Sequence, residues 1–158
     1  MLTETVTSVA ERTTRIRRAA ALLCARLSWA VVHEFTLPNG RRADLLALQP
    51  DGCFACIEVK SCPRDFLSDG KWPEYRDYCD TLYFAVESDF PLDLLPREAG
   101  LIVSAERDAE LLRPGPTHRL PPARRRALLH RFAFVAAGRL AMLQDPQVAA
   151  LRMALRVD

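Results

Sequence analysis

The sequence predicts an α/β fold in which a mixed sheet is flanked by helices, with further helices at the C-terminal end. Three observations lead to this prediction. An amphipathic stretch comes first, two Pro-(Asn/Asp)-Gly connectors then separate three short apolar segments, and a charged stretch leads to a fourth apolar segment. The chain of 158 residues, 27% charged and 49% hydrophobic, can bury one compact core, so we expect a single domain over residues 14–158.

The first element is an amphipathic helix that we expect to begin near Thr13 and Thr14. Residues 1–13 are polar and rich in threonine, so we predict a flexible N-terminus there. Farther along, apolar residues recur at helical spacing while arginines occupy another side of the helix. The apolar positions are Ile16, Ala20, Leu23, Leu27 and Ala30, and the basic positions are Arg15, Arg18 and Arg26.

Three strands are expected next, over Val31–Leu37, Arg41–Gln49 and Cys53–Lys60. The connectors between them are Pro38-Asn39-Gly40 and Pro50-Asp51-Gly52. Proline presets φ at the first turn position, Asn or Asp suits the second, and glycine accepts the left-handed conformation at the third. The connectors therefore predict three-residue hairpin loops and an antiparallel meander.

A crossover helix and a buried strand follow the meander. Pro63 ends the third strand, and Trp72-Pro73-Glu74 is typical of a helix start with proline at its first position. The apolar segment Thr81–Val86 then predicts a strand that this helix connects to the sheet. Marginal strands are expected over Leu101–Ser104 and near Leu111.

The last part of the chain is predicted to be helical. A long helix is expected from about Ala123 to Leu143, and a short helix after Pro146. Apolar residues at helical spacing predict the buried stripe of the long helix. This stripe consists of Leu129, Phe132, Ala136, Leu140 and Leu143.

Three acidic residues are predicted to form a row across the meander. Three-residue loops place Asp44 opposite Glu58 in the second hairpin and Glu34 opposite Asp44 in the first. Directly opposed Cβ atoms lie about 4.5–5.5 Å apart, where like charges destabilise a sheet unless something compensates them. A hard cation such as Mg²⁺, which takes carboxylate oxygens as ligands, is the obvious compensation. The alternative for Glu34 is a surface position on its strand.

Lys60 belongs to the same predicted site. It lies two residues after Glu58, so strand alternation points both side chains to one face of the sheet. The chain has 20 Arg but only two Lys, at positions 60 and 71. A compact ammonium can hold an attacking water in a tight site where a guanidinium fits poorly. The alternative is a solvated strand end that balances the charge of Glu58.

These residues resemble the motif of a known superfamily. Asp44, thirteen intervening residues and Glu58-Val59-Lys60 resemble the D…(D/E)xK signature of the PD-(D/E)xK, or restriction-endonuclease-like, nucleases. The predicted order of elements is similar to their αβββαβ core. The stretches 41–48, 57–61 and 69–86 resemble the MmcB-like family of bacterial DNA-repair endonucleases, and this resemblance covers most of the chain.

The resemblance implies that the protein is a metal-dependent DNA endonuclease, which hydrolyses phosphodiester bonds in DNA repair. Asp44 and Glu58 would hold Mg²⁺ or Mn²⁺, and the main-chain carbonyl of Val59 would be a further ligand. Lys60 would orient the attacking water. Ala43 stands where the superfamily pattern has proline, which donates nothing to the metal.

The resemblance leaves two roles open. Related nucleases often take an extra acid from the first helix, so Glu11 competes with Glu34 as the additional ligand. They also often place a glutamine in the crossover segment, where this chain has none. Lys71 or Tyr75 would then contact the substrate instead.

The charges of the chain lie in opposed blocks. Residues 1–43 carry seven Arg against three Glu, residues 44–110 carry six basic against fifteen acidic residues, and residues 111–158 carry nine Arg against two Asp. Basic segments on both sides of an acidic segment are consistent with a protein that binds phosphates around a cation site. The alternative explanation of this charge distribution is that the charged residues lie on solvated helix faces. The candidate DNA-binding residues are Arg15, Arg18, Lys71, Tyr75, Arg124 and Arg131.

Composition excludes other classes of protein. No apolar run approaches the length of a membrane span, and the first residues lack a secretory pattern, so we expect a cytoplasmic protein without a membrane partner. DNA is the expected partner, together with other DNA-repair proteins. Two rival functions remain: a non-catalytic DNA-binding or scaffold protein of the same fold, and a nuclease that acts on RNA, since nothing in the motif reads the 2′-hydroxyl.

Overall fold

The computed structural model describes residues 8–157. The chain divides into two compact units at Leu120 and Pro121. The single domain predicted over residues 14–158 stays a prediction. In the first unit the elements are α1 (Val9–Arg26), β1 (Ala30–Thr36), β2 (Arg42–Leu48), β3 (Phe54–Val59), α2 (Pro63–Ser68), a 3₁₀ helix (Trp72–Tyr78), β4 (Thr81–Glu87), a second 3₁₀ helix (Leu92–Leu94), β5 (Gly100–Ala105) and β6 (Asp108–Arg113), and the second unit holds α3 (Pro122–Gln144) and α4 (Pro146–Leu155).

The six strands form one sheet in the order of the chain, β1-β2-β3-β4-β5-β6. The first three strands are antiparallel, β3, β4 and β5 run parallel to one another, and β6 is antiparallel to β5. This mixed sheet, with helices beside it and further helices after it, confirms the predicted fold class. The observed ends of β1 to β4 lie within one residue of the predicted ends.

The two hairpin loops set the register of the site. Gly40 and Gly52 have φ of 81° and 83°, the left-handed conformation that the third turn position requires. The loops close where Gln49 N–H donates to the Cys53 carbonyl at 2.9 Å and Leu37 N–H donates to the Arg41 carbonyl at 2.7 Å. The resulting ladders pair position 45 with positions 33 and 57. Both predicted registers are confirmed.

Helix α1 begins earlier than expected because its N-terminus is capped. The Ser8 hydroxyl accepts the Glu11 N–H at 3.2 Å, and the Glu11 carboxylate accepts the Ser8 N–H at 2.8 Å. This capping box satisfies donors that the first helical turn leaves unpaired. The flexible stretch predicted over residues 1–13 is therefore helical from Val9, and residues 1–7 lie outside the described part of the chain.

Helix α1 covers one face of the sheet. Its buried side chains, including Ile16, Ala20 and Leu23, form the core cluster with odd-numbered positions of the central strands, among them Leu45 and Ile57. Because side chains alternate along a strand, the even-numbered positions of β2 and β3 point to the opposite face. The predicted catalytic acids are even-numbered, so they lie on the face that α1 does not cover.

The crossover segment differs from the single helix that we predicted. Pro63 begins the short helix α2, Asp69 and Gly70 interrupt it, and a 3₁₀ helix follows. Phe66 of α2 and Trp72 of the 3₁₀ helix both contact the Phe84 ring edge-on, with ring centroids 5.4 Å and 6.0 Å away. Aromatic packing against β4 therefore holds the segment to the sheet, and a continuous helix is not needed.

The second unit consists of two helices, as predicted, but the predicted buried stripe of α3 is confirmed only at Phe132 and is wrong at most other positions. The buried residues are Leu128, Phe132, Val135 and Gly138. The predicted positions Leu129, Leu140 and Leu143 are instead 44%, 54% and 86% exposed. The helix is apolar on several sides, so periodicity alone does not select between adjacent stripes. No helix among residues 8–157 is long and apolar enough to cross a membrane.

Replacement of Asp80 should destabilise the fold strongly. Its carboxylate is fully buried and accepts the N–H of Phe54 at 2.7 Å and of Leu120 at 2.9 Å. Asp80→Ala removes the carboxylate that accepts from these two buried N–H groups, so the free energy of unfolding should fall by about 3 kcal/mol. Urea denaturation measures it, with the exposed acid Glu98→Ala as the control. A loss as small as that of the control would contradict this role of Asp80.

Candidate metal and catalytic site

The candidate site lies where the ladder between β2 and β3 ends. Main-chain pairing runs from Leu48 and Phe54 to Leu45 and Ile57 and stops before the two acids. Beyond this point the carboxylates accept the main-chain donors of the opposite strand.

Two crossed hydrogen bonds fix the acids. The Asp44 N–H donates to Glu58 Oε1 at 3.2 Å, and the Val59 N–H donates to Asp44 Oδ2 at 2.8 Å. Each side chain is thus held by the strand that faces it, which keeps both carboxylates at the same end of the hairpin. We name this pair, Asp44 and Glu58, the acid pair.

The acid pair suits a hard cation. Within residues 8–157, the second oxygen of each carboxylate accepts no hydrogen bond, and Glu58 is only 5% exposed. Free carboxylate oxygens in a shielded site are the ligands that Mg²⁺ and Mn²⁺ prefer. The adjacent Val59 carbonyl is the candidate for a further oxygen ligand. The residues present therefore fit a divalent cation.

In the absence of a cation, burial and mutual repulsion make the charged form of the acid pair energetically unfavourable. Burial and, to a lesser extent, the nearby charge of Asp44 together raise the pKa of Glu58 to about 8. Burial also raises the pKa of Asp44, against the opposing effects of the Val59 N–H and the Lys60 charge. A bound cation would relieve both the desolvation and the mutual repulsion of the two carboxylates.

The Lys60 ammonium lies beside the acid pair and is buried. Lys60 is 4% exposed, and its main-chain N–H donates to the Ala85 carbonyl of β4 at 3.0 Å. Its positive charge lowers the pKa of both acids. The alternative of a solvated strand end is therefore wrong. The structure brings together the three residues predicted to be catalytic.

Glu34 does not complete the predicted row of three acids. Its φ of 47° is left-handed, and it is missing from the ladder that pairs the residues on either side of it with β2. Its negative charge still raises the pKa of Asp44, but its carboxylate lies 3.5 Å from the Arg17 guanidinium and 3.9 Å from that of Arg42. Among residues 8–157, no three Asp, Glu, His or Cys side chains converge on one point. The competing acid, Glu11, is used in the capping box of α1.

Two predicted DNA-binding residues lie on α1. Arg15 is half-buried, and its guanidinium forms an ion pair with Glu87 at 2.5 Å. Arg18 is exposed on the same helix. Both therefore belong to the helix that covers the face of the sheet opposite to the even-numbered acids.

The other DNA-binding candidates are distributed over the chain. Lys71 is exposed in the crossover segment, whereas Tyr75 is 7% exposed and its hydroxyl donates to the Arg42 carbonyl at 3.3 Å. Tyr75 thus packs against the site strand and does not offer its ring to a ligand. Arg124 and Arg131 lie on α3, in the second unit.

The sequence left Asp69 open between the border of the site and a solvated turn, and it did not single out Arg17. The Asp69 carboxylate lies 2.7 Å from the Lys60 ammonium, and Arg17 acts on both Glu34 and Asp44. Asp69 is followed by glycine, which predicts a turn but does not indicate that the turn brings Asp69 to Lys60. Arg17 is one of four arginines in seven residues, and nothing distinguishes it from the others.

Comparison with known proteins identifies relatives over most of the chain. A family model described as "DNA repair protein MmcB-like" matches residues 3–147. A solved structure of a protein of unknown function from Silicibacter pomeroyi matches with a TM-score of 0.81 and 40% sequence identity, over 86% of this chain and 93% of that chain. No curated protein matches the chain.

The burial of Glu58 predicts a pH-dependent stability in the absence of metal. Its folded pKa of about 8 lies above the ordinary value of 4.5, so the folded state keeps a proton that the unfolded state has already lost. The free energy of unfolding should therefore fall as pH rises from about 5 to 8, by at most about 1.4 kcal/mol per pH unit for one proton.

Urea denaturation in EDTA tests this dependence. The Glu58→Gln variant should lose most of the decline, because glutamine does not titrate, whereas Glu98→Gln should keep the wild-type profile. Parallel profiles for wild type and Glu58→Gln would show that Glu58 ionises normally in the fold.

Proposed function

The chain belongs to the MmcB-like DNA repair protein family, and we propose that it is a cytoplasmic, metal-dependent DNA endonuclease of the PD-(D/E)xK type. The observation that carries the proposal is the acid pair, held by crossed hydrogen bonds next to a buried lysine. A protein that only needs to fold gains nothing from two adjacent carboxyl groups, one of them buried. Binding of a cation would explain why the fold places these carboxyl groups side by side.

The roles of the residues follow from their chemistry. Asp44 and Glu58 would hold Mg²⁺ or Mn²⁺, with the Val59 carbonyl as a further ligand. When bound, the cation supplies Lewis-acid stabilisation of the phosphate and acidifies a water molecule. Lys60 would orient the attacking water with its ammonium N–H groups and offset the negative charge that develops on the phosphate.

The DNA backbone would be held by arginines and a lysine outside the acid pair. Arg18 and Lys71 are exposed and carry charges that DNA phosphates can reach. Arg15 would join them after exchanging its Glu87 partner for a phosphate, and Arg124 and Arg131 would act from α3. Such contacts fix the position of the duplex without reading its sequence. Other DNA-repair proteins are candidate partners.

Cleavage of plasmid, branched and single-stranded DNA with Mg²⁺ or Mn²⁺ tests the proposed activity. Asp44→Asn and Lys60→Met should each reduce the cleavage rate at least about 100-fold, since each removes a group that acts on the reacting phosphate. Asp93→Asn, which removes an exposed acid far from the motif in sequence, is the matched control. Substrates made of RNA belong in the same assay.

The outcomes separate the rival functions. Cleavage of DNA that depends on Asp44 and Lys60 supports the endonuclease. Salt-sensitive DNA binding without cleavage favours a binding or scaffold protein, and cleavage of RNA alone favours an RNA nuclease. Equal cleavage by wild type and both variants would sink the catalytic assignment.

A metal titration separates the acid pair from Glu34. Mg²⁺ or Mn²⁺ should raise the melting temperature of wild type and of Glu34→Gln, but not of Asp44→Asn, because ligands that bind only the folded state stabilise it. Glu34→Gln should also bind DNA several-fold more tightly, since Arg17 and Arg42 lose a competing carboxylate. Glu98→Gln controls for the change in net charge. A metal affinity at least tenfold weaker in Glu34→Gln would instead make Glu34 a ligand.

A further inference from the structure

The Lys60 ammonium requires a partner because it is shielded from water. Its side chain is 5% exposed, and a buried charge without an opposite charge is strongly unfavourable. Lys60 forms one ion pair among the described residues, with Asp69 at 2.7 Å. The acid pair acts on the ammonium only through longer-range attraction.

Asp69 is itself fixed at two points. Its second carboxylate oxygen accepts the Lys71 N–H at 3.3 Å, and its own N–H donates to the Phe66 carbonyl at 3.2 Å. The Phe66 ring packs edge-on against Phe84 of β4, with ring centroids 5.4 Å apart. The carboxylate of Asp69 is therefore tied to the sheet through a short turn, and it reaches Lys60 from outside the strand.

We propose that Asp69 is a positioning residue that holds the Lys60 ammonium in the orientation needed for phosphodiester hydrolysis. The inference rests on the proposed function, because it assigns Asp69 to the same site. A lysine side chain has four rotatable bonds, so its terminal nitrogen needs a fixed partner to stay in one place. Asp69 supplies that partner without touching the acid pair.

The charge of Asp69 has a second effect at the site. A divalent cation bound at the acid pair would repel the neighbouring ammonium, and the Asp69 carboxylate, 2.7 Å from the ammonium, would offset that repulsion. Loss of Asp69 should therefore let Lys60 move away while the acid pair still binds metal. This separates a role in placing Lys60 from a role in holding the cation.

The lysine content of the chain allows a direct test of the placement. Lys60 and Lys71 are the only lysines, so acetylation by N-hydroxysuccinimidyl acetate, followed by mass spectrometry, reports on two side-chain amines. In metal-free wild type, Lys60 should react at least tenfold more slowly than the exposed Lys71. Asp69→Asn should raise the Lys60 rate at least fivefold and leave the Lys71 rate within twofold.

Matched variants keep this result interpretable. Asp65→Asn removes an exposed acid of α2 that forms no ion pair with Lys60 among residues 8–157, and both lysine rates should match wild type. Asp69→Glu keeps a carboxylate and should retain slow labelling of Lys60. An unchanged Lys60 rate in a folded Asp69→Asn protein would overturn the proposal.

Single-turnover cleavage with saturating metal and DNA gives the second readout. Asp69→Asn should lower the cleavage rate constant 10- to 100-fold with metal and DNA affinities within twofold of wild type. Asp69→Asn should add nothing to the loss caused by Lys60→Met in the double variant. A full further loss in the double variant, or no loss in the single variant, would overturn the role of Asp69.

The labelling and cleavage experiments test the positioning role and the nuclease function independently of each other. If wild type cleaves no substrate, the proposed nuclease function is wrong, whereas the labelling still decides whether Asp69 holds Lys60. If wild type cleaves DNA but labelling of Lys60 is independent of Asp69, the nuclease stands and the positioning role is wrong.

Discussion

Two crossed hydrogen bonds between β2 and β3 are the constraint on which the candidate site depends. The Val59 N–H donates to Asp44, and the Asp44 N–H donates to Glu58, so each strand fixes the acid of the other. This arrangement needs the hairpin register to be exact, because a slip of one residue would move both acids to the opposite face. The turn at Asp51-Gly52 sets that register, and the sheet maintains it.

The positive charges of Lys60 and Arg17 act on the acid pair. Lys60 extends from the end of β3, and Asp69 reaches it from the crossover segment. On the other side, Arg17 of α1 pairs with Glu34 and also lowers the pKa of Asp44. The positive charges near the acids therefore come from Lys60 and from α1, while the crossover segment supplies the carboxylate that pairs with Lys60.

Local signals predicted the parts of the structure that local chemistry determines. The two Pro-(Asn/Asp)-Gly connectors specified loop length, which specified register, and the register placed Asp44 beside Glu58. The position of Lys60 next to the acids followed from the alternation of side chains along β3. Each of these steps links residues that are close in sequence or joined by one short turn, so the energetics of the turn decide them.

Features that depend on distant packing were not predictable in the same way. The left-handed backbone of Glu34 removes it from the expected row, and nothing in a Glu residue signals that conformation. The contact between Asp69 and Lys60 depends on how aromatic side chains seat the crossover segment on β4. The buried stripe of α3 was misplaced because several sides of that helix are apolar, and only tertiary contacts select between them.

The most direct test of the central claim is a crystal structure of the wild-type protein soaked in Mn²⁺, with anomalous difference density measured near the manganese absorption edge. The account predicts a peak between the free oxygens of Asp44 and Glu58, next to the Val59 carbonyl, that is absent in Asp44→Asn crystals. Millimolar Mn²⁺ without density at the acid pair, or a peak that is equally strong in Asp44→Asn, would contradict it.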